Sequence, residues 1–313
     1  MNVGVVILTL NAETDVRRLL PIVCAEVGVD SILVVDSASI DQTREVVSEH
    51  EGVDLIVLER SEFNHGATRE FARKKIGTDI VVFLTQDVIP VPGFIGALVS
   101  PIKNKEAVVA YSRQLPHDGA GVLEAFPRLY NYASESYRRT LDDTKTYGVM
   151  TFFCSDSCSA YLNSALDRVG GMHPILTNED YFAVAKLLKD GFAISYAANS
   201  QVKHSHSYTI VAEFQRYFDT GFVRGQRTWV NKLVGNAENH GAGFVKALFS
   251  FLIRNKPLLI PYALIQVSAK WFGYRLGYYS TNMPPGFCKF FSSQKYFWSS
   301  RHFTDSQVTA VDR

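Results

Sequence analysis

The chain has 313 residues, room for two ordinary domains or for one large α/β domain with an appendage. Lys+Arg (32) and Asp+Glu (31) leave a net charge of +1, so no global field draws the chain onto nucleic acid, and 47% apolar against 20% charged residues excludes extended disorder. Four cysteines (Cys24, Cys154, Cys158, Cys288) are too few for a disulfide framework and indicate a reducing, cytoplasmic setting.

The opening MNVGVVILTLNAETD has an apolar run with no basic segment before it and no small-residue cleavage site after it. It reads as a buried strand over 3–10, not as a leader. Residues 12–27 place Val16, Leu19, Leu20 and Val23 at helical spacing. A strand over 31–35 ends at Asp36, and a helix over 41–50 follows, with Ser39 or Asp41 as its cap. A strand over 55–58, a helix over 67–76 and a strand over 79–84 come next, the last ending at Gln86-Asp87. Apolar strands alternating with helices predict an α/β fold with a mostly parallel sheet covered on both faces.

Residues 107–208 are less regular. Strands are expected over 108–112 and 193–197, and a helix over 180–189 stops at Gly191. A Tyr- and Arg-rich stretch over 119–151 reads as a lid or acceptor loop. From about 230 the pattern is helical, and the polar tail 305–313 is expected to fray. The expected organisation is an α/β domain over 1–229, in halves 1–106 and 107–229, with a helical region over 230–313. Within 243–280, five basic residues and two prolines interrupt an aromatic-rich apolar run too broken to span a bilayer. Aromatics with only positive charge suit the membrane interface. Helices packed on the main domain, or a contact in a homo-oligomer, would read the same way.

In open parallel sheets, ligands bind beyond the carboxyl ends of the strands. Those positions hold Thr9, Leu10 and Asn11; then Asp36, Ser37, Ser39 and Asp41; then Thr85, Gln86 and Asp87. Acidic and hydroxyl groups at one rim suit a base, a ribose and a divalent cation. Capping of the next helix explains Ser39 and Asp41 as well. No G-x-G-x-x-G follows the first strand and no G-x-x-x-x-G-K-[ST] occurs, which argues against a dinucleotide dehydrogenase and a P-loop ATPase. Cys154 and Cys158 lack metal-site spacing and read as small buried residues.

Six segments, in order, resemble family 2 glycosyltransferases of the GT-A fold. They are Ile7-Leu8-Thr9-Leu10-Asn11; Val35-Asp36-Ser37-Ala38-Ser39-Ile40-Asp41-Gln42-Thr43; His65-Gly66-Ala67-Thr68-Arg69; Thr85-Gln86-Asp87; Gly170-Gly171 with Asn178-Glu179-Asp180; and Val202-Lys203-His204-Ser205-His206. The likeness covers about residues 3–220. FNHGATR, FLTQD and SRQLP look most like bacterial rhamnosyltransferases of surface polysaccharide synthesis. That resemblance implies a GT-A fold, a dTDP-L-rhamnose donor and a lipid-linked or growing saccharide acceptor. It also implies inverting transfer at the inner face of the plasma membrane. The alternatives are another donor such as a UDP-hexose, or a non-catalytic sugar- or nucleotide-binding partner.

The resemblance further implies residue roles. Asp36 would accept from the base or ribose, with Thr9 and Asn11 lining the same pocket. Arg69 would contact base or diphosphate, His65 a phosphate, and Gln86 the donor nucleotide. Arg113 and Gln114 would lie near donor sugar or acceptor. Tyr130, Tyr132 and Tyr137 would stack on acceptor sugars or fill a core or lid. Asp87 is the metal candidate, because Mg²⁺ or Mn²⁺ takes oxygen ligands and offsets charge growing on a leaving diphosphate. Thr85 stands where the family has the first Asp of Asp-x-Asp, so His204 and His206 join Asp87 as candidates; at i, i+2 on a strand they would share a face. Asp180 is the candidate general base, with Glu179 the fallback. Its place at a helix start is expected to lower its pKa.

Overall fold

A computed structural model describes residues 1–234 and 239–310. Strands β1 (Val3–Thr9), β2 (Ser31–Asp36), β3 (Val53–Val57) and β4 (Ile80–Thr85) are parallel, in the order β3-β2-β1-β4. Helices α1 (Glu13–Cys24), α2 (Thr43–Ser48) and α3 (His65–Ile76) connect them. Pairing sets Thr9 beside Asp36 and Leu8 beside Thr85, so these strands end at one rim. On β1, Val3, Val5 and Ile7 pack with Val16, Leu19 and Leu20 of α1, while Val6 and Leu8 face the opposite cluster. Both faces of β1 are buried, which is why it reads as an unbroken apolar run.

The next elements are β5 (Ile89–Pro90), α4 (Phe94–Lys103), β6 (Val109–Leu115), α5 (Val122–Asn131), β7 (Tyr137–Arg139) and α6 (Thr144–Tyr147). After them come β8 (Cys158–Leu162), α7 (Asn163–Arg168), α8 (Glu179–Lys189) and β9 (Ile194–Lys203). β8, which no sequence signal announced, lies between β4 and β6 and is antiparallel to both. β6 pairs β9 in parallel, and β5 and β7 pair β9 antiparallel. Strands β1 to β4 are therefore parallel and the second half of the sheet is mixed.

Helix α3 starts two residues before the expected position because Asn64 caps it, its Oδ1 accepting from the N–H groups of Gly66 and Ala67 at 3.1 Å. A Cβ at Gly66 would collide with the His173 carbonyl oxygen, so glycine lets the first turn of α3 rest on the loop leading to α8. That contact brings Arg69 to Glu179.

The chain continues through α9 (Ile210–Gln226), α10 (Trp229–Val234), α11 (Asn239–Asn255), α12 (Ile260–Tyr279), α13 (Pro285–Phe291) and α14 (Arg301–Ala310). Cβ atoms at Gly221 and Gly225 of α9, or at Gly273 and Gly277 of α12, would strike carbonyl oxygens of the facing helix. The two helices therefore meet backbone to backbone. Phe218, Phe222, Cys288, Phe297 and Trp298 join the core cluster that holds Val6 and Phe83. The tail is not frayed from 305 as expected: residues to Ala310 belong to α14, which His302 pins through its ring nitrogen to the Glu62 carbonyl oxygen at 2.7 Å. Residues 311–313, the end of that tail, lie outside the described residues.

Candidate active site

The strand ends open into a cavity of about 990 Å³, in the range that holds a small-molecule ligand. Its floor carries Thr9, Leu10, Ser37, Gln86 and Asp87; its walls carry Asp156, Glu179, Asp180, His204 and His206; its far side is closed by Phe244 of α11 and Tyr262, Gln266 and Lys270 of α12.

At one end, Asp87, His204 and His206 converge, with one ligand atom from each lying within 4.8 Å of the others. The Asp87 Oδ2 atom is 3.4 Å from His204 Nε2 and 3.3 Å from His206 Nε2, and the two Nε2 atoms are 2.9 Å apart. Thr85 donates from Oγ1 to Asp87 Oδ1 at 2.6 Å and so aims Oδ2 at the histidines. Gln114 holds the ring of His204. Its Nε2 donates to Ser155 Oγ at 2.7 Å, which leaves Oε1 to accept from His204 Nδ1 at 3.1 Å. His204 Nε2 then faces Asp87 and His206. Arg128 donates from Nε to the His204 carbonyl oxygen at 2.6 Å and holds the segment in place. Burial pushes the Asp87 carboxyl up, but hydrogen bonding and charge from His204, with Thr85 and His206, outweigh it and leave the pKa well below the carboxylate range. Burial and then the charge of His204 lower His206 to about 4, so its ring is neutral at pH 7. Two imidazole nitrogens and one carboxylate oxygen are a donor set that fits a divalent cation. The two histidines are not on a strand, as had been expected: β9 ends at Lys203, and it is the loop after it that turns both rings inward.

On the adjoining wall, three carboxylates surround one guanidinium. Arg69, 3% exposed, lies 2.7 Å from Glu179 Oε1 and 3.3 Å from Asp156 Oδ2. Asp156 Oδ1 accepts from Ser159 Oγ at 2.6 Å and from Tyr161 Oη at 2.7 Å. Asp180 Oδ1 accepts from the Tyr181 N–H at 2.7 Å, and Oδ2 faces the Asp156 N–H at 3.4 Å. Three acids against one cation leave excess negative charge away from water. Burial, followed by the charges of Asp156 and Glu179, raises the Asp180 pKa well above its ordinary value. Burial likewise raises Asp156 against the pull of Arg69. The lowered pKa expected of Asp180 from its helix start is thus overturned: burial, and after it the neighbouring carboxylates, outweigh the end of α8. Burial and then Arg69 and Arg60 lower His65 to about 3, so this cavity-lining ring is also neutral.

The remaining predicted residues divide. Thr9, His65, Arg69, Gln86, Gln114, Glu179, Asp180 and all three metal candidates line the cavity. The Gln86 amide grips Leu10, accepting from its N–H at 2.8 Å and donating to its carbonyl at 3.3 Å. Asp36, Asn11 and Arg113, expected at the donor, are not among the lining residues. Asp36 is fully buried, and its oxygens accept from Thr9 Oγ1 (2.9 Å), Ser39 Oγ (2.5 Å) and Ser39 N–H (2.8 Å). Its neighbour Ser37 takes the cavity side instead. Asn11 ties the same two loops through Ser39 Oγ and the Ile40 N–H. Arg113 precedes Gln114 on β6, and alternate side chains of a strand point opposite ways. Contrary to expectation, neither Ser39 nor Asp41 caps α2: Gln42 is its N-cap, without a side-chain cap bond, and Asp41 accepts from the Thr43 N–H at the first helical position. Tyr132 lines the cavity; Tyr137 hydrogen-bonds Tyr111 and Tyr130 stacks on Phe126, both away from it. Cys154 and Cys158 are buried free thiols. Sequence reasoning missed Asp156, which stands in the turn just before β8 within Ser155-Asp156-Ser157.

Residues 4–170 match the glycosyl transferase family 2 family. The chain is 38% identical over 280 residues to the O-antigen chain rhamnosyltransferase WbaN of Salmonella anatum, covering 88% of each, and 36% identical over 282 residues to RfbN of Salmonella typhimurium, covering 89% of this chain and 90% of that one. The fold resembles the mannosyltransferase PcManGT of Pyrobaculum calidifontis solved with GDP-Man and Mn²⁺ (TM-score 0.61, 14% identity, 90% of this chain and 87% of that one). It also resembles S. aureus TarS solved with UDP-GlcNAc (TM-score 0.58, 17% identity, 90% and 92%). With a family match over more than half its length, these two relatives and the GT-A architecture, the chain belongs to glycosyl transferase family 2 and is a glycosyltransferase.

Proposed function

We propose that the chain transfers L-rhamnose from dTDP-L-rhamnose to a lipid-linked or growing saccharide in surface polysaccharide synthesis, by one inverting displacement. Its resemblance to two named O-antigen rhamnosyltransferases supports the sugar and the setting. The observation that carries the mechanism is that Asp180 and the Asp87–His204–His206 cluster line one cavity.

In this reading Thr9, Ser37 and Gln86 floor the donor nucleotide site, and Asp36 and Asn11 hold the two loops that shape it. Asp87, His204 and His206 would hold a divalent cation, which when bound offsets negative charge on a nucleoside diphosphate leaving group. Two imidazoles favour Mn²⁺ over Mg²⁺, which prefers all-oxygen shells. Asp180 takes the proton from the acceptor hydroxyl. Its raised pKa makes it a stronger base than a free carboxylate once ionised. Asp156 sets that basicity by charge, and Arg69 holds Glu179 and Asp156 so that Asp180 alone is left without a cationic partner within ion-pairing distance. Gln114 lines the cavity and positions His204. Residues 1–229 form the catalytic part and 230–313 close the acceptor end at the inner face of the plasma membrane. No described helix is long and apolar enough to cross a membrane.

A thermal-shift panel tests the reading, since a ligand of the folded state raises the melting temperature by mass action. dTDP-L-rhamnose with Mn²⁺ is expected to give the largest shift among nucleotide sugars. A larger shift with a UDP-hexose would replace the donor assignment.

A further inference from the structure

Helix α12 is apolar on more than one side. Ala263, Gln266, Gly273 and Gly277 are buried, the two glycines against α9. The opposite side exposes Leu264, Ile265, Trp271, Phe272 and Tyr279, about half or more of each side chain being open to solvent. Positions 261, 264, 265, 268, 272, 275 and 279 fall on one stripe at helical spacing, and Ser268 and Arg275 are the polar members among them. A helix hydrophobic on every face is normally covered on every face. The patch continues beyond the helix to Leu258 (94% exposed) before it and to Met283, Phe287 and Phe290 (73% exposed) after it. Eleven of the twenty-one large apolar side chains exposed among the described residues lie between 253 and 290. Helix α11, the other half of the segment singled out by sequence, behaves differently: Leu248 and Leu252 are buried in a cluster with Phe126 of α5.

The charge around this face has one sign. Residues 239–304 contain eight Lys or Arg and no Asp or Glu. Arg254, Lys256, Arg275 and Lys289 are exposed beside the apolar side chains, and the Arg275 guanidinium lies 5.8 Å from the Trp271 ring centre and 5.2 Å from that of Tyr279. Two copies of the chain meeting through this face would bring like charges together with no acid in the patch to pair them. A surface of lipid phosphates presents the complementary charge and accepts Trp, Tyr and Phe at headgroup depth.

We infer that the α12–α13 face, from Leu258 through Trp271 and Phe272 to Phe290, docks on an anionic lipid surface. This rests on the proposed reading of the acceptor as lipid-linked. Tyr262, Gln266 and Lys270 of the same helix line the cavity, so docking sets the acceptor wall of the active site against the bilayer.

Flotation of the full chain with vesicles of phosphatidylglycerol and phosphatidylcholine, against phosphatidylcholine alone, tests this. The wild-type protein should float with the anionic vesicles, and binding should fall as salt is raised. The double variant W271S/F272S should bind roughly 10- to 100-fold more weakly, since two exposed aromatics supply much of the insertion. R275E should lose binding to the anionic vesicles selectively. These side chains touch neither the cavity nor the core, so the melting temperature and the dTDP-L-rhamnose thermal shift should stay at wild-type values. That control separates a failed donor assignment from a failed docking surface. No flotation, equal flotation with neutral vesicles, or a wild-type dimer that W271S/F272S converts to monomer would each overturn the inference.

Discussion

Replacing Arg69 by Met tests the carboxylate cluster at its centre. Arg69 is 3% exposed and is the cation within ion-pairing distance of both Glu179 (2.7 Å) and Asp156 (3.3 Å). Removing one partner of a buried ion pair strands the other charge, at a cost of about 3–5 kcal/mol. At about 2–4 °C per kcal/mol for domains of this order, the melting temperature should fall by roughly 6–20 °C. The loss should also depend on pH. Without Arg69 the folded-state pKa of Asp156 rises further above its unfolded value, so the folded state binds more protons and stability falls as pH rises. Thermal or urea unfolding of wild type and R69M near pH 5.5 and near pH 8 measures both effects, with the larger loss near pH 8. A loss under about 1 kcal/mol, or one that is equal at both pH values, would refute the placing of three carboxylates around one buried guanidinium.

Ala38 has φ 55, in the left-handed region that costs a residue with a Cβ about 1–2 kcal/mol. A38G should therefore raise stability by a net of about 0.5–1 kcal/mol after the entropy of the freer unfolded chain, read by urea midpoint. Asp219 is raised from 3.8 to about 6, chiefly by burial. Its neutral form favours folding, so its contribution is complete below pH 4 and is lost as pH climbs through about 6, by at most about 3 kcal/mol. D219N keeps an acceptor for the Ser293 N–H and should flatten the melting temperature between pH 4 and 7. Q114L frees the Nδ1 side of His204 and should weaken Mn²⁺ binding about 10- to 100-fold by calorimetry, with the melting temperature of the metal-free protein little changed.

The parallel half of the sheet was legible because its strands are buried on both faces and read as apolar runs. The rim residues were legible for the same reason, since each such strand ends at a polar residue. What that rule hides is side-chain alternation: it cannot tell Ser37, which faces the cavity, from Asp36, which ties loops behind it, or Gln114 from Arg113. It also looks only at residues that follow strands. Asp156 precedes β8, and β8 runs antiparallel, so its beginning lies at the rim where the parallel strands end. The run Cys158–Leu162 is short and holds only two large apolar residues, Tyr161 and Leu162, so it gave no strand to anchor that reasoning. The lowered pKa expected of Asp180 rested on the helix start, which is local in sequence, whereas burial and the charge of Asp156, which arrives from another segment, raise it. The packing of α9 on α12 depends on glycines spaced four apart in each helix, a pattern visible in sequence but meaningful only once the two helices are seen to touch.

Single-turnover transfer with saturating dTDP-L-rhamnose and Mn²⁺ puts the central claim to its most direct test. D180N should keep the donor-induced thermal shift and lose transfer by about 10²–10⁴-fold, the usual share of a general base. In the wild type, the rate should fall on acidification at a pH above the ordinary carboxylate range, as the raised pKa of Asp180 requires. Transfer by D180N at the wild-type rate would contradict the assignment of the acceptor proton to Asp180.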